Sequence, residues 1–138
     1  LVAMVVIKQL EPVKTPLINK FYTLHKVRGR ANKQDQLWVA YDNHTMIAAC
    51  RLQHKPTFLF LSTVFVAPEY RSTGVATKLL STLLNQQTDV VYTFAYQHIT
   101  DFYQALGFNQ VLTYTPELLT LFDAYKHRNI IALKYQQP

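Results

Sequence analysis

The sequence predicts an α/β protein, on three observations. Phe58 to Val66 is a nearly continuous run of apolar and β-branched residues, as expected of a strand buried on both faces. From Val75 the period changes: Val75, Leu79 and Leu83, with Ala76, Leu80 and Leu84, line one side of a helix. Val90 to Ala95 then repeats the buried-strand pattern. A strand–helix–strand succession of this length makes the two strands parallel neighbours joined by a right-handed crossover. The 138 residues are 49% apolar and fit one domain, 1–138, with a real core.

The other elements follow in order. Leu1 to Ile7 is apolar but far short of the ~20 residues of a membrane span. It has no preceding basic segment and no small-residue cleavage site, so it reads as a first strand rather than a signal peptide. Thr15-Pro16 offers an N-cap followed by proline at the first helical position. Leu17, Phe21 and Leu24, with Ile18 and Tyr22, give that helix an apolar face through His25. Lys26 to Gln36 is a polar, basic loop carrying Lys26, Arg28, Arg30 and Lys33 around Gly29. Leu37 to Tyr41 is a strand, Asp42-Asn43-His44 is turn chemistry, and Thr45 to Leu52 returns as the second arm of a hairpin. His54-Lys55-Pro56 links it to the Phe58 strand. Val111 to Tyr114 reads as a strand, and Thr115-Pro116-Glu117 opens a helical insert over 116–126 with Leu118, Leu121, Phe122 and Tyr125. Asn129 to Tyr135 closes the chain as a strand. The elements sum to a mixed, mostly antiparallel sheet of about six or seven strands flanked by helices. The insert suits either a cover over a cleft or a subunit contact in a homodimer.

Composition excludes several chemistries. Cys50 is the sole cysteine, so no internal disulfide forms and a reducing, cytoplasmic setting is expected. The five histidines are scattered, without metal-ligand spacing, so no metal site is expected. No Gly-x-x-x-x-Gly-Lys-Ser/Thr or Gly-x-Gly-x-x-Gly run occurs, which argues against nucleotide hydrolysis and dinucleotide chemistry. The formal charge of +6 suits an anionic partner. The absence of a clustered basic helix or interleaved stacking aromatics argues against nucleic acid.

The joint between strand and helix carries the chemistry. Pro68 stops the strand, because proline cannot donate to a ladder. Arg71-Ser72-Thr73-Gly74-Val75-Ala76 follows. The first turn of a helix has unpaired N–H groups and partial positive charge, a glycine lets an anion approach, and Arg71 adds a full charge. The stretch reads as a diphosphate cradle. It resembles the main motif of the GNAT superfamily of acyl-CoA N-acyltransferases, Gln/Arg-x-x-Gly-x-Gly/Ala after a hydrophobic strand, with Arg71, Gly74 and Ala76 at its defined positions. Ser72 stands where many members have another glycine. Phe102-Tyr103-Gln104-Ala105-Leu106-Gly107-Phe108 resembles the second motif, a tyrosine before Leu-Gly-Phe. Two of the three glycines therefore fall at motif positions.

The resemblance implies acetyl-CoA as co-substrate, held by Arg71, Ser72, Thr73, Gly74, Val75 and Ala76. It also implies that main-chain groups of Phe65 and Val66 pair with the pantetheine arm where the two parallel strands part. Tyr103 matches the tyrosine that donates to the departing sulfur; a phenol of ordinary pKa, about 10, predicts a rate that falls at high pH. Two departures stand out. Tyr96 replaces an asparagine that often contacts the cofactor, and Leu59 to Thr63 lacks the carboxylate many members use as base. Ser62 or Thr63 could hold a water, and His98 is the candidate base. Arg28 or Arg30 either attracts an anionic group of the acceptor or belongs to a solvated loop. The implied activity is N-acetyl transfer to a primary amine of a small molecule or peptide. The rival reading is a non-catalytic acyl-CoA binding or sensing module.

Overall fold

The computed structural model describes residues 4–138. The strands are β1 (Val5–Leu10), β2 (Gln36–Asp42), β3 (Thr45–His54), β4 (Leu59–Val66), β5 (Val91–Tyr96), β6 (Asn109–Gln110) and β7 (Ile130–Tyr135). The helices are α1 (Thr15–Leu24), α2 (Val75–Asn85), α3 (Thr100–Ala105) and α4 (Pro116–Tyr125). The strands form one seven-stranded sheet in the order β1-β2-β3-β4-β5-β7-β6. Every neighbouring pair is antiparallel except β4 and β5, which are parallel. The predicted class and the parallel pair are both present.

Alternation along the strands sorts the helices onto two faces. Leu59 and Leu61 of β4 face Val75, Leu79, Leu80 and Leu83 of α2 and Tyr103 of α3. Phe60 faces the opposite way, toward Leu118 of α4, with Phe122 and Tyr125 packed alongside. Phe65 shares that second face and meets α1 through Phe21, their rings 6.0 Å apart. The sheet is thus a partition, with α2 and α3 on one side and α1 and α4 on the other.

Two local expectations change. Thr15 is not the N-cap of α1: a 3-10 turn at Pro12–Lys14 precedes it, and Thr15 is already helical. Its buried hydroxyl donates to the Pro12 carbonyl at 2.6 Å, stitching turn to helix. Val111 to Tyr114 is not a strand. The Val111 N–H donates once more to Ala132, at 3.0 Å, and the chain then leaves the sheet edge. Leu112 is 91% exposed, and Tyr114 turns in against Phe122. The departure delivers the chain to α4, where the Thr115 hydroxyl accepts from the Leu118 N–H as the sequence leads one to expect.

Candidate active site

The site begins with a fault in β4. Between Ala49 and Arg51 of β3 lies one residue, Cys50, but between their partners Phe65 and Ser62 lie two, Thr63 and Val64. This is a β-bulge, and Thr63 takes a positive φ of 55° within it. A bulge bends its strand, and here the bend coincides with the end of the parallel pairing. β4 and β5 are paired only over Leu59–Val91, Phe60–Tyr92 and Leu61–Thr93. Beyond that point they separate, and Ser62 to Val66 have no β5 partner.

Both sides of the fork are pinned. The Thr93 hydroxyl donates to the Leu61 carbonyl at 2.9 Å, closing the last rung. Two residues on, the Thr63 carbonyl accepts from the Tyr22 hydroxyl of α1 at 2.7 Å. Tyr22 is buried, so its hydroxyl needs such a partner. The loop after α1 also rests on the bulge. A Cβ on Gly29, whose φ is +93°, would come within 3.4 Å of the Thr63 hydroxyl.

The fork opens a cleft of about 390 Å³ through the sheet. Ser62, Thr63, Thr93 and Ala95 form its walls, Ile99 and Tyr103 stand on one side, and Arg28, Tyr125 and Arg128 on the other. Tyr103 is 6% exposed and fixed edge-on between Phe102 and Phe108, at ring distances of 5.2 and 5.4 Å. Burial pushes its phenol up to about 12, assisted by the nearby Cys50 thiol, with the Thr93 hydroxyl acting the other way. The ordinary value near 10 expected from sequence does not apply. No carboxylate lines the cleft.

On the α2 side, a second hollow is bounded by Val66, Tyr70, Arg71, Ser72, Gly74, Val75, Ala76, Thr77 and Phe102. Gly74 is the N-cap of α2, with φ 88°, and no side chain caps that end. The first-turn N–H groups therefore face the hollow with no acidic residue beside them. A Cβ on Gly74 would meet nothing within 4 Å, so glycine is required by φ and leaves open space at the helix end. Tyr70 anchors the loop by donating to the Asp42 carboxylate, and Thr73 donates to the Tyr70 carbonyl. Arg71 is exposed, donates through Nε to the Val66 carbonyl at 3.1 Å, and lies over the Phe65 ring at 5.1 Å. The hollow fits a polyanion: free donors, a helix dipole, a guanidinium and room at the glycine.

The structure thus brings together Val66, Arg71, Ser72, Gly74, Val75 and Ala76 around one hollow, and places Tyr103 on a neighbouring cleft. Thr73 does not line the hollow, and the Phe65 side chain lies on the other face of the sheet, against Phe21. The structure does not bring His98 to the cleft. His98 is exposed and stacks on Tyr96, ring centroids 6.0 Å apart; Tyr96 lines the cleft and His98 does not. Arg28 lines the cleft, whereas Arg30 lines a separate groove beside Pro16, Asn19, Lys20 and Leu24. Sequence reading missed Tyr22, Thr93, Tyr125 and Arg128. Tyr22 carried a signal, because a tyrosine on an apolar helix face must find a partner for its hydroxyl. Among the described residues no group of His, Cys, Asp and Glu could hold a metal, and no helix is long and apolar enough to cross a membrane.

A seven-stranded sheet split at its parallel pair, with an anion cradle at the split, defines the acyl-CoA acyltransferase class of fold. A sequence model of the acetyltransferase (GNAT) domain matches residues 33–110, over half of the chain, and the chain belongs to that family. No curated protein sequence matches. Several solved structures share the fold. Escherichia coli ElaA has a TM-score of 0.69 at 17% identity, over 96% of this chain and 100% of that one. The ribosomal-protein-S18-alanine N-acetyltransferase of Escherichia coli scores 0.68 at 16% identity, over 98% and 96%. Arabidopsis thaliana Naa50, solved with the bisubstrate analogue CoA-Ac-MVNAL, scores 0.66 at 19% identity, over 97% and 99%.

Proposed function

We propose that the protein is an acetyl-CoA-dependent N-acetyltransferase acting on a primary amine of a small molecule or peptide by direct transfer. The observation that carries this reading is the closeness of cradle and cleft at a split in the sheet: Val66 and Phe102 line the one, Val64 and Tyr103 the other. The diphosphate sits on the Val75–Ala76 end of α2 beside Arg71, and the pantetheine arm runs along the unpaired edge at Phe65 and Val66. The thioester then reaches the fork at Tyr103. The amine enters from the α1 and α4 face. Naa50, which shares the fold, was solved with an analogue that joins CoA to a peptide, and this supports a CoA donor and an amine acceptor for the fold.

Tyr103 is the proposed catalytic donor. A phenol at about 12 stays protonated at neutral pH and can donate to sulfur as charge builds there. Handing over the proton completely to a thiolate of ordinary pKa ~8.5 would be uphill by about 5 kcal/mol. Tyr103 therefore acts as a hydrogen-bond donor to the leaving thiolate rather than as a full general acid. The amine must arrive unprotonated. Without a carboxylate in the cleft nothing there favours the ammonium form, and the guanidiniums of Arg28 and Arg128 disfavour it. A water on Ser62 or Thr63 takes the proton and passes it through solvent to His98. We place the protein in the cytoplasm. Tyr125 on the cleft supports a covering role for the insert, while a homodimer contact is left to α4's outer face.

The missing carboxylate also favours a second reading, an acyl-CoA binding or sensing module without turnover. Release of CoA thiol from acetyl-CoA across a panel of amines separates the two. Turnover with at least one amine is expected; none, with acetyl-CoA bound, selects the sensing module. In the same assay series Gly74→Val should weaken acetyl-CoA at least tenfold, about 1.4 kcal/mol. Unchanged affinity in a folded Gly74→Val protein would move the diphosphate site elsewhere.

A further inference from the structure

We propose that the acceptor carries a carboxylate as well as its amine, and that Arg28 and Arg128 hold that carboxylate at the mouth of the cleft. The inference deepens the transfer function proposed above and rests on it for the location of the acceptor.

Two guanidiniums from distant parts of the chain line one cleft in which no Asp or Glu is present. Among the described residues neither makes an ion pair; the three ion pairs are Glu11–Lys14, Asp35–Arg51 and Asp123–Lys126. Both side chains are exposed, so water screens their mutual repulsion, and an anion in the cleft is attracted by both.

Neither arginine belongs to a loose segment. The stretch bearing Arg28 is clamped at both ends. The Val27 N–H donates to the Tyr22 carbonyl at 2.9 Å. Further on, the Asn19 amide both accepts from the Ala31 N–H at 2.7 Å and donates to its carbonyl at 3.0 Å. Arg51 Nε then reaches Asp35 at 2.8 Å. Arg128 stacks over Tyr125, 5.3 Å from the ring centroid, and Asn129 behind it turns the chain with φ 58°. The two therefore present planar, multiply donating heads, which match a carboxylate better than they match a neutral amide.

The test is a set of matched acceptors: amino acids with free carboxylates, the same compounds as carboxamides, a phosphate-bearing amine and a polyamine. The readout is the acid-to-amide ratio of kcat/KM for the wild type, Arg28→Gln, Arg128→Gln and the double variant. We expect a wild-type ratio of tenfold or more that falls with added salt, and a ratio near one in the double variant. A wild-type ratio of one, or one unmoved by the double substitution, overturns the proposal. A phosphate-bearing amine preferred over every carboxylate overturns the carboxylate while keeping the anion. Should no amine be acetylated, NMR titration of the wild type and double variant with one amino acid and its amide still decides. Shifts at Thr63 and Tyr103 caused by the acid alone and lost in the double variant uphold the anion site although transfer has failed. Equal shifts for acid and amide, or none, overturn it.

Discussion

At the scale of single residues the site turns on where protons are kept. Tyr103 is enclosed by Phe102 and Phe108, and its phenol is held at about 12. Tyr103→Phe preserves the ring packing and removes only the donor. It should leave acetyl-CoA affinity and Tm nearly unchanged and lower kcat and kcat/KM together, by the ~10²–10³-fold typical of a lost oxyanion-type donor. The alkaline limb expected for a phenol of ordinary pKa should be missing below pH ~11 in the wild type. A Tyr103→Phe enzyme with wild-type kcat would reduce the tyrosine to packing. Tyr103 and Gly74 were legible in the sequence because a motif fixes their neighbours. Arg128 was not, because nothing in Lys126-His127-Arg128 tells which cation turns toward β4 and β5; that is settled by stacking on Tyr125 and by the left-handed turn at Asn129. Arg28 and Arg30 were indistinguishable for a related reason. Neighbours in a loop diverge according to backbone contacts made elsewhere, here Asn19 with Ala31.

At the scale of elements the decisive feature is the bulge of β4. Its sequence, Ser62-Thr63-Val64, carries no glycine to mark the positive φ at Thr63. The strand was therefore legible, but the place where it bends was not. Tertiary contacts enforce the bend, chiefly the bond from Tyr22 to the Thr63 carbonyl and the packing of Gly29 on the Thr63 side chain. The supposed strand at Val111–Tyr114 failed similarly: its residues have β propensity, but the sheet edge offers pairing only as far as Val111. Tyr22→Phe tests the bend directly. It leaves a carbonyl unpaired beneath α1 and should cost about 1–3 kcal/mol of stability in urea unfolding. Because the same carbonyl fixes the edge leading to Phe65 and Val66, KM for acetyl-CoA should rise as well. A loss of stability with unaltered acetyl-CoA kinetics would show that the fork keeps its shape without Tyr22.

At the scale of the whole molecule, the core that supports the split sheet also sets its pH limits. Tyr92 is buried and raised by burial, but three other buried acids are raised furthest: Cys50, Tyr22 and Tyr103. Burial raises all three, Cys50 and Tyr22 well above their usual ranges and Tyr103 to about 12. Each native group holds its proton over a pH range in which the unfolded chain releases it. The stability they contribute is therefore complete below the unfolded pKa values, near ~8.5 for the thiol and ~10 for the phenols, and is lost as pH rises toward the folded values. One such group gives a slope of about −1.4 kcal/mol per pH unit and three give about −4. By pH ~11 the combined loss is about 6 kcal/mol, comparable to the whole stability of a domain of this size. Urea unfolding at stepped pH should show stability falling gently from pH ~8.5 and about three times more steeply above pH ~10. Cys50→Ala should flatten the first segment and Tyr103→Phe should lessen the second, whatever either does to stability at neutral pH. If wild-type stability is level from pH ~8.5 to ~10, or Cys50→Ala retains the wild-type slope there, the thiol is not held protonated by the core. The alkaline weakness would then begin only above pH ~10, with the buried phenols.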